Sequence, residues 1–497
     1  MRLDEARAGV PRVATGISGF DLISFGGVPA GRTTLVAGTA GSGKTTFALQ
    51  FLLSGALEGD PGVLITCEES PADMTRNVET FGWDLESLVA SGRIEIVDAS
   101  PRPDVLQQEV GEFDLGGLLA RIEAAVEKAG ARRIVLDSAG ALFPQFESER
   151  TVRRELQRIV VAIRSMGVTC LLTTERTEEY GPVARHEVEE FVVDCAVVLR
   201  NPFDGRRRRR TLEILKLRGG NHRKGEFPFT MESEEGISVI PLSAIELDKP
   251  AAIEPATMGN PEVDEMLGGS VFGDSVMLVS GATGTGKTLL VAEFMRPVVR
   301  DGQRGLLMTF EESHDQILRN AKGWGIDLRE AEEEGRLDVL AVYPERMGLE
   351  DLLVSLRRTI RRLKPERVAL DSLTALERIA SPRAFREFIV GLLTTLKDAE
   401  ILGLLTNTSS SLLGGDTVTE AYVSTMTDGI LLLRYVELEG EIRRAVAVLK
   451  MRGARHDHLV REYRIDGDGM HVGDPLPNLG PGFLRGGVRD APGDVTG

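Results

Sequence analysis

Two short stretches carry residues that could cradle phosphate. Residues 38–45 read GTAGSGKT and residues 281–288 read GATGTGKT, and both fit GxxxxGK[ST]. In that pattern glycines let backbone N–H groups approach a phosphate, the following helix contributes the positive end of its dipole, and the lysine reaches the outer phosphates. The candidate contacts are Gly38, Thr39, Gly41, Ser42, Gly43, Lys44, Thr45 and Thr46 in the first stretch. In the second they are Gly281, Thr283, Gly284, Thr285, Gly286, Lys287, Thr288 and Leu289. Each stretch follows an apolar run and precedes a helix-like one, the context the pattern requires, and two collinear matches make chance an improbable source.

Chemistry on a bound ATP needs a metal ion and a base. Thr45 and Thr288 end their loops in a hydroxyl suited to Mg²⁺, and Asp137 and Asp371 each end an apolar strand and precede Ser, as a metal-supporting acid does. An aspartate at a strand end is ordinarily a turn residue; the phosphate loop upstream reverses that reading. Glu68–Glu69 and Glu311–Glu312 close the strand after each loop's helix, where a carboxylate can orient or deprotonate a nucleophile near the γ-phosphate. One such pair alone would read as a solvated acidic loop.

Lys216 with Arg218, and Lys450 with Arg452, alternate along strand-like runs, so each pair faces one side. Such pairs could present cations to the phosphates of a neighbouring subunit; charge that protects a sheet edge is the competing explanation. RRRRR at 206–210 falls at a hairpin turn after NPFDG, where a solvated turn near a subunit interface is a better reading than nucleic-acid binding. His222 and His456 each follow the Lys by six positions, and neither stands in a zinc-type spacing, so a contact at the edge of a nucleotide is expected of them.

These residues are positioned by a repeated element order. The phosphate loops, the EES triplets at 68–70 and 311–313, and Arg76–Asn77 with Arg319–Asn320 share an offset of 243. RIVLDS at 133 and RVALDS at 367, and KLRG at 216 and KMRG at 450, share an offset of 234. A period this long marks a duplicated domain. A first domain over 1–247 and a second over 248–497 are expected, with LDKPAAIEP at 247–255 as linker. Short β-branched runs (TTLVAG, GVLITCEE, RIVLDS, VTCLLTTE) alternate with helix-like stretches such as TVRRELQRIVVAIRSMG. That alternation predicts an α/β fold, two tandem mostly parallel sheets flanked by helices, with CAVVLR and RRTLEILKLRG as an antiparallel edge hairpin.

Composition narrows the function classes. An apolar share of 42% with 27% charged residues is that of a folded globular protein. The formal charge of −17 opposes binding to phosphate backbones. Cys67, Cys170 and Cys195 form no metal or disulfide spacing and read as reduced core thiols. With no leader-like start and no long apolar run, a cytoplasmic protein without membrane contact is expected.

The copies differ at one place that matters chemically. EAYVSTMTD at 420–428 matches HEVEEFVVD at 186–194, so Ser424 and Thr425 stand where the first copy has Glu190 and Phe191. Taken alone, VSTMT reads as a strand rich in threonine.

With these motifs assembled, the chain resembles the KaiC family of circadian-clock ATPases and autokinases, within the RecA-like class, from about residue 13 to about 470. The resemblance rests on both phosphate loops and both EES elements, and on TTERTEEYGPVAR, RRRRRTLEILKLRG, DSLTALER and YVSTMTD. It implies a two-tier homohexamer with ATP between subunits, a first tier that hydrolyses ATP slowly and a second that phosphorylates itself. Ser424 and Thr425 fall at the family's phosphoacceptors, Thr419 at a threonine that handles phosphate, and Glu311 at the general base of the second tier, which also borders the metal. Glu68 matches the carboxylate that directs water. Lys216, Leu217, Arg218 and His222, and Arg444, Lys450, Met451, Arg452 and His456, would line a neighbour's ATP, and Trp324 its adenine. A phosphate on 424 or 425 would add roughly −1.5 to −2 charges to the subunit interface.

The segment after about residue 470 departs from the family's regulatory tail, through which KaiA binds, so a KaiA-like partner is not expected. VGEFDLGGLLARI at 110–122 is similar to the part near which KaiB docks and leaves a KaiB-like partner open. Two other function classes share the core. A DNA-processing ATPase needs basic or aromatic pore loops and salt-dependent DNA affinity. An ATP-switched hexameric scaffold would hydrolyse ATP and leave Ser424 and Thr425 unmodified.

Overall fold

The computed structural model describes residues 9–100, 115–142, 149–183, 189–205, 207–241, 252, 254–408, 423–438 and 440–476. Thr419, residues 110–114, most of the linker and the tail from 477 lie outside the described residues. The chain forms two compact units, Met1–Ile245 and Glu246–Gly497.

The first unit is built on β1 (Thr33–Gly38), α1 (Lys44–Glu58), β2 (Gly62–Thr66), α2 (Pro71–Glu79), β3 (Ile94–Asp98), α3 (Leu115–Ala129), β4 (Arg133–Asp137), α4 (Glu149–Ser165), β5 (Thr169–Glu175), α5 (Glu189–Val192), β6 (Cys195–Arg200), β7 (Thr211–Leu217), β8 (Glu226–Glu232) and β9 (Gly236–Val239). Its nine-stranded sheet runs β3-β2-β4-β5-β1-β6-β7-β8-β9. Neighbours from β3 to β6 are parallel, and β6 to β9 are antiparallel.

The second unit repeats this with β10 (Val276–Gly281), α6 (Lys287–Phe294), β11 (Gly305–Thr309), α7 (His314–Gly323), β12 (Leu337–Ala341), α8 (Leu349–Leu363), β13 (Arg367–Asp371), α9 (Pro382–Asp398), β14 (Leu402–Thr408), β15 (Gly429–Leu438), β16 (Glu441–Met451), β17 (Arg461–Asp466) and β18 (Gly469–Pro475). Its order, β12-β11-β13-β14-β10-β15-β16-β17-β18, is the same nine-strand pattern. The expected hairpin is therefore extended by two further antiparallel strands in each unit. HVGDP, at the start of the divergent tail, lies within the last of them.

The central parallel strands β1, β2 and β4 are buried throughout, as a sheet covered on both faces requires, while the edge strand β3 is half-buried. In the first unit α1 covers one face with Phe47, Phe51 and Leu52, and α3 and α4 cover the other with Ile122, Leu156 and Ile163. Each such side chain contributes about 1.5–3 kcal/mol on leaving water. Phe20 meets Phe47 edge-on, with centroids 5.1 Å apart.

A buried arginine fastens the phosphate-loop helix to the sheet in each unit. Arg133 Nη1 donates to Phe51 O at 2.9 Å and lies over the Phe51 ring, and Arg367 Nη1 donates to Phe294 O at 2.5 Å and lies over the Phe294 ring. Burial lowers the Arg367 guanidinium to about 10, still charged at neutral pH. Gly55 makes room for Arg133, since a β-carbon there would come within 2.2 Å of its Nε.

Candidate nucleotide site in each unit

Each phosphate loop is set by the strand before it and the helix after it. Gly43 and Gly286 are the helix N-caps, with φ of 96° and 94°, a left-handed backbone that glycine adopts without strain. The first N–H groups of α1 and α6 thereby face outward, where an anion is favoured. Lys44 Nζ donates to Thr39 O at 3.0 Å, and Lys287 Nζ donates to Gly281 O at 2.9 Å and Ala282 O at 3.0 Å. Burial lowers both ammonium groups; Glu175, Asp137 and Glu68 oppose this at Lys44, and Asp371 and Glu311 at Lys287.

The hydroxyl and carboxylate expected around a metal ion meet in both units. Thr288 Oγ1 donates to Asp371 Oδ2 at 2.7 Å, and Thr45 bonds to Asp137. Thr406, from the adjoining strand, donates to the other oxygen of Asp371, and Thr173, likewise from the adjoining strand, donates to Asp137 Oδ1. Burial raises the Asp137 carboxyl above its ordinary value, and the bonds from Thr173 and Thr45 act against that. Among the described residues no group of three His, Cys, Asp or Glu could hold a metal ion. A short set of hard oxygens beside a phosphate loop suits Mg²⁺, which keeps waters and takes phosphate oxygens for its remaining positions.

The serine of each EES triplet caps the helix that follows. Ser70 Oγ accepts from Asp73 N with Pro71 next in line, and Ser313 forms a capping box with Gln316. The two carboxylates thus stand between a strand end and a helix start, each differently held. Glu68 accepts from Ser138 Oγ at 2.5 Å, whereas the matched Ser372 Oγ is buried with no partner among the described residues. Asn77 Nδ2 donates to Glu69 Oε2 at 3.0 Å, and Asn320 Nδ2 to Glu312 Oε2 at 2.9 Å. Burial, and then the charge of Asp371, raises the Glu312 carboxyl.

Lys216 Nζ donates to Glu190 O and Val193 O, each at 2.7 Å, and Arg218 reaches Phe191 O at 3.4 Å. Lys450 Nζ donates to Ser424 O at 2.9 Å and Thr427 O at 2.6 Å, and Arg452 reaches Thr425 O at 2.6 Å. Each pair faces one side, as alternation predicts, across a register shift that both units share, after Ile214 in β7 and opposite Ile430–Leu431 in β15. Within one chain their partners are the carbonyls of a short turn. That turn is helical at 423–426, as α5 is in the first unit, which sets aside the alternative reading of VSTMT as a threonine-rich strand. Two cations closing the last carbonyls of a helical turn outweigh threonine's β preference.

Leu217 and Met451 are buried at strand ends opposite Cys195 and Gly429. Trp324 ends α7 and packs against the core. His222 Nδ1 lies 3.0 Å from Arg223 O, and the His456 ring meets His458 at 4.5 Å. Arg207 and Arg208 form the expected small hairpin with Phe203 and Asp204.

Sequence reasoning missed three features. Glu175 ends β5 opposite Gly38, where the second unit has Thr408 opposite Gly281. Asn77 and Asn320 lay within the repeat with no role assigned. Tyr463 touches the second phosphate loop where the first unit has Phe229, a difference visible once the copies are aligned at 234.

Two phosphate loops on RecA-like sheets, each with its lysine, hydroxyl, buried aspartate and paired carboxylates, define a tandem P-loop ATPase. A family model described as the KaiC ATPase matches residues 13–244 and 256–476. The chain is 51% identical over 484 residues to the circadian clock protein KaiC3 of Synechocystis sp., covering 97% of this chain and 96% of that one. It is 48% identical over 477 residues to the circadian clock oscillator protein KaiC of Acaryochloris marina, covering 96% and 91%. The KaiC of Prochlorococcus marinus is 49% identical over 471 residues, covering 95% and 94%. The chain belongs to the KaiC family and is an ATP-binding ATPase. No described helix is long and apolar enough to cross a membrane.

Proposed function

We propose that the second unit phosphorylates its own turn at Ser424 and Thr425 while the first unit hydrolyses ATP, in a homohexamer with ATP at subunit seams, serving a timing or signalling role. The relatives named above carry circadian clock in their names, and the three free cysteines, all buried, fit a reducing cytoplasm. One observation carries the reading. The same Lys and Arg hold the same turn in both units, and only the second unit offers hydroxyls on it.

Thr288 and Asp371 would hold Mg²⁺, as Thr45 and Asp137 would in the first unit. The ion supplies charge neutralisation at the phosphates. In the transfer, Ser424 Oγ forms a bond to the γ-phosphorus of ATP as the bond to the bridging oxygen breaks and ADP leaves. The hydroxyl proton passes to Glu311. Lys287 and the loop N–H groups hold the phosphates in line, and Lys450 and Arg452 fix the turn. In the first unit Glu190 and Phe191 leave water as the acceptor, oriented by Glu68, whose carboxylate Ser138 steadies. A KaiB-like partner at the first unit belongs to the same reading.

The test is incubation of the wild type and Glu311→Gln with Mg²⁺ and labelled ATP, followed by phosphopeptide mapping. Label on Ser424 or Thr425 that Glu311→Gln abolishes is the expected result. Hydrolysis with no label on either residue would make the chain an ATP-switched scaffold.

A further inference from the structure

Tyr463 is buried in β17 at 2% relative exposure, and its hydroxyl donates to the backbone carbonyl of Thr285 inside the second phosphate loop. A trans peptide is planar, with its C=O and N–H pointing to opposite sides. The plane that carries the Thr285 carbonyl also carries the N–H of Gly286. A donor on the carbonyl therefore aims that N–H to the other side, where loop N–H groups meet phosphate. Gly286, at φ 94°, has the backbone freedom to let this plane turn, so an external fastening has something to fix.

The fastening is part of a row. Tyr435 pairs with Arg444 across β15 and β16, and Arg444 pairs with Tyr463 across β16 and β17, which puts all three on one face of the sheet. The Arg444 guanidinium lies 5.8 Å from the Tyr435 ring centroid. The Tyr435 hydroxyl sits over Gly284, so close that a β-carbon there would come within 2.8 Å of it. Burial raises the Tyr463 phenol and keeps it protonated as a donor.

The first unit lacks the device while keeping its setting. At the same offset Tyr435, Arg444 and Tyr463 become Asn201, Arg210 and Phe229. Phe229 is as buried as Tyr463, and Met231 abuts Gly43 as Ile465 abuts Gly286. A phenyl ring has no hydrogen to donate, so the Ser42–Gly43 plane receives none from that strand.

We propose that Tyr463 is a positioning residue of the second phosphate loop, holding the Thr285–Gly286 peptide in its phosphate-binding orientation, so that the second unit releases nucleotide more slowly than the first. The inference rests on the ATPase family alone and stands whether or not the turn is phosphorylated.

The test is stopped-flow release of a fluorescent ADP analogue from the full-length chain in Mg²⁺. Lys44→Ala and Lys287→Ala each remove one unit's binding and so assign the phases. Tyr463→Phe is expected to speed release from the second unit by about twofold to tenfold, the range a single net hydrogen bond covers. It is expected to raise KM with kcat unchanged and to leave first-unit release alone. Phe229→Tyr, which places a donor under the Ser42–Gly43 plane, is expected to slow first-unit release. Wild-type release in Tyr463→Phe overturns the proposal. So does faster release accompanied by a lower Tm when Phe229→Tyr leaves the first unit unchanged, since that pattern belongs to loosened packing.

Discussion

The turn before Cys195 and the turn before Gly429 are built alike and end in different side chains. In both, a lysine and an arginine two residues apart close the turn's carbonyls, and in both an aspartate follows, Asp194 or Asp428. The first turn presents Glu190 and Phe191, the second Ser424 and Thr425. Duplication has kept the cations that hold the turn and varied the side chains the turn presents. The carboxylates repeat the lesson. Asn77 and Asn320 hold the second glutamate in both units, while the serine bond to the first glutamate exists only at Ser138.

The strongest way to separate the units is to remove one carboxylate at a time. Glu68→Gln is expected to lower first-unit hydrolysis, and Glu311→Gln second-unit chemistry, each by about 10²–10⁴, the usual share of a general base. Turnover assays in Lys287→Ala and Lys44→Ala backgrounds read each unit alone. A carboxamide that slows both units equally would break the comparison.

Next come the turn cations. Lys216→Met and Lys450→Met each remove two charge-assisted bonds to carbonyls, each bond worth about 1.5–3 kcal/mol before solvent screening, since both lysines are part exposed. Hydrogen exchange over 189–192 and 423–426 should quicken in the matching unit only, and by similar factors. A loss confined to one unit would show that the turns are held differently.

The serines sharpen the contrast. Ser138→Ala removes a bond to Glu68 and is expected to slow first-unit hydrolysis about twofold to tenfold. Ser372→Ala removes a hydroxyl with no partner among the described residues and should change second-unit turnover less. Equal effects in single-unit assays would refute the asymmetry.

The smallest effect concerns pH. His314 Nε2 lies 2.7 Å from Glu332 Oε1, and that bond raises the imidazole above its ordinary 6.5. A raised folded value contributes stability in full below 6.5, and that contribution is lost as pH climbs through the folded value. The first unit has Pro71 at the matched position. Second-unit Tm should therefore fall slightly as pH rises above about 6.5, and Glu332→Gln should reduce that slope, leaving the smaller part due to Asp315. An imidazole that titrates at or below 6.5 by NMR would dispose of this prediction.

Much of this molecule could be read from its sequence. TTLVAG and CAVVLR are strands with the expected bounds, because each is a short β-branched run closed by glycine or a polar residue. The loops, their lysines and Asp137 and Asp371 fall where the motif spacing put them. The helical turn at 423–426 escaped because its cause lies in Lys450 and Arg452, some 25 residues later in the chain. The last antiparallel strands escaped because EFPFTME, though it alternates, carries Pro228 in mid-run, and GISV is short; they gain their place by pairing with β7 and with each other. Glu175 and Tyr463 acquire roles only through cross-strand register, which no local pattern reports.

The buried arginines at the foot of β4 and β13 bear on how such a pair of units can diverge. Arg133 and Arg367 each saturate carbonyls inside the fold, so a step away from either strands several interior groups at once. The interior of each copy is thus locked against drift in ancestry, while a residue such as Ser424 or Glu190 is one codon change away from new chemistry. A lineage that duplicates this domain inherits two frameworks fastened by the same buried arginine, whose turn residues are free to specialise.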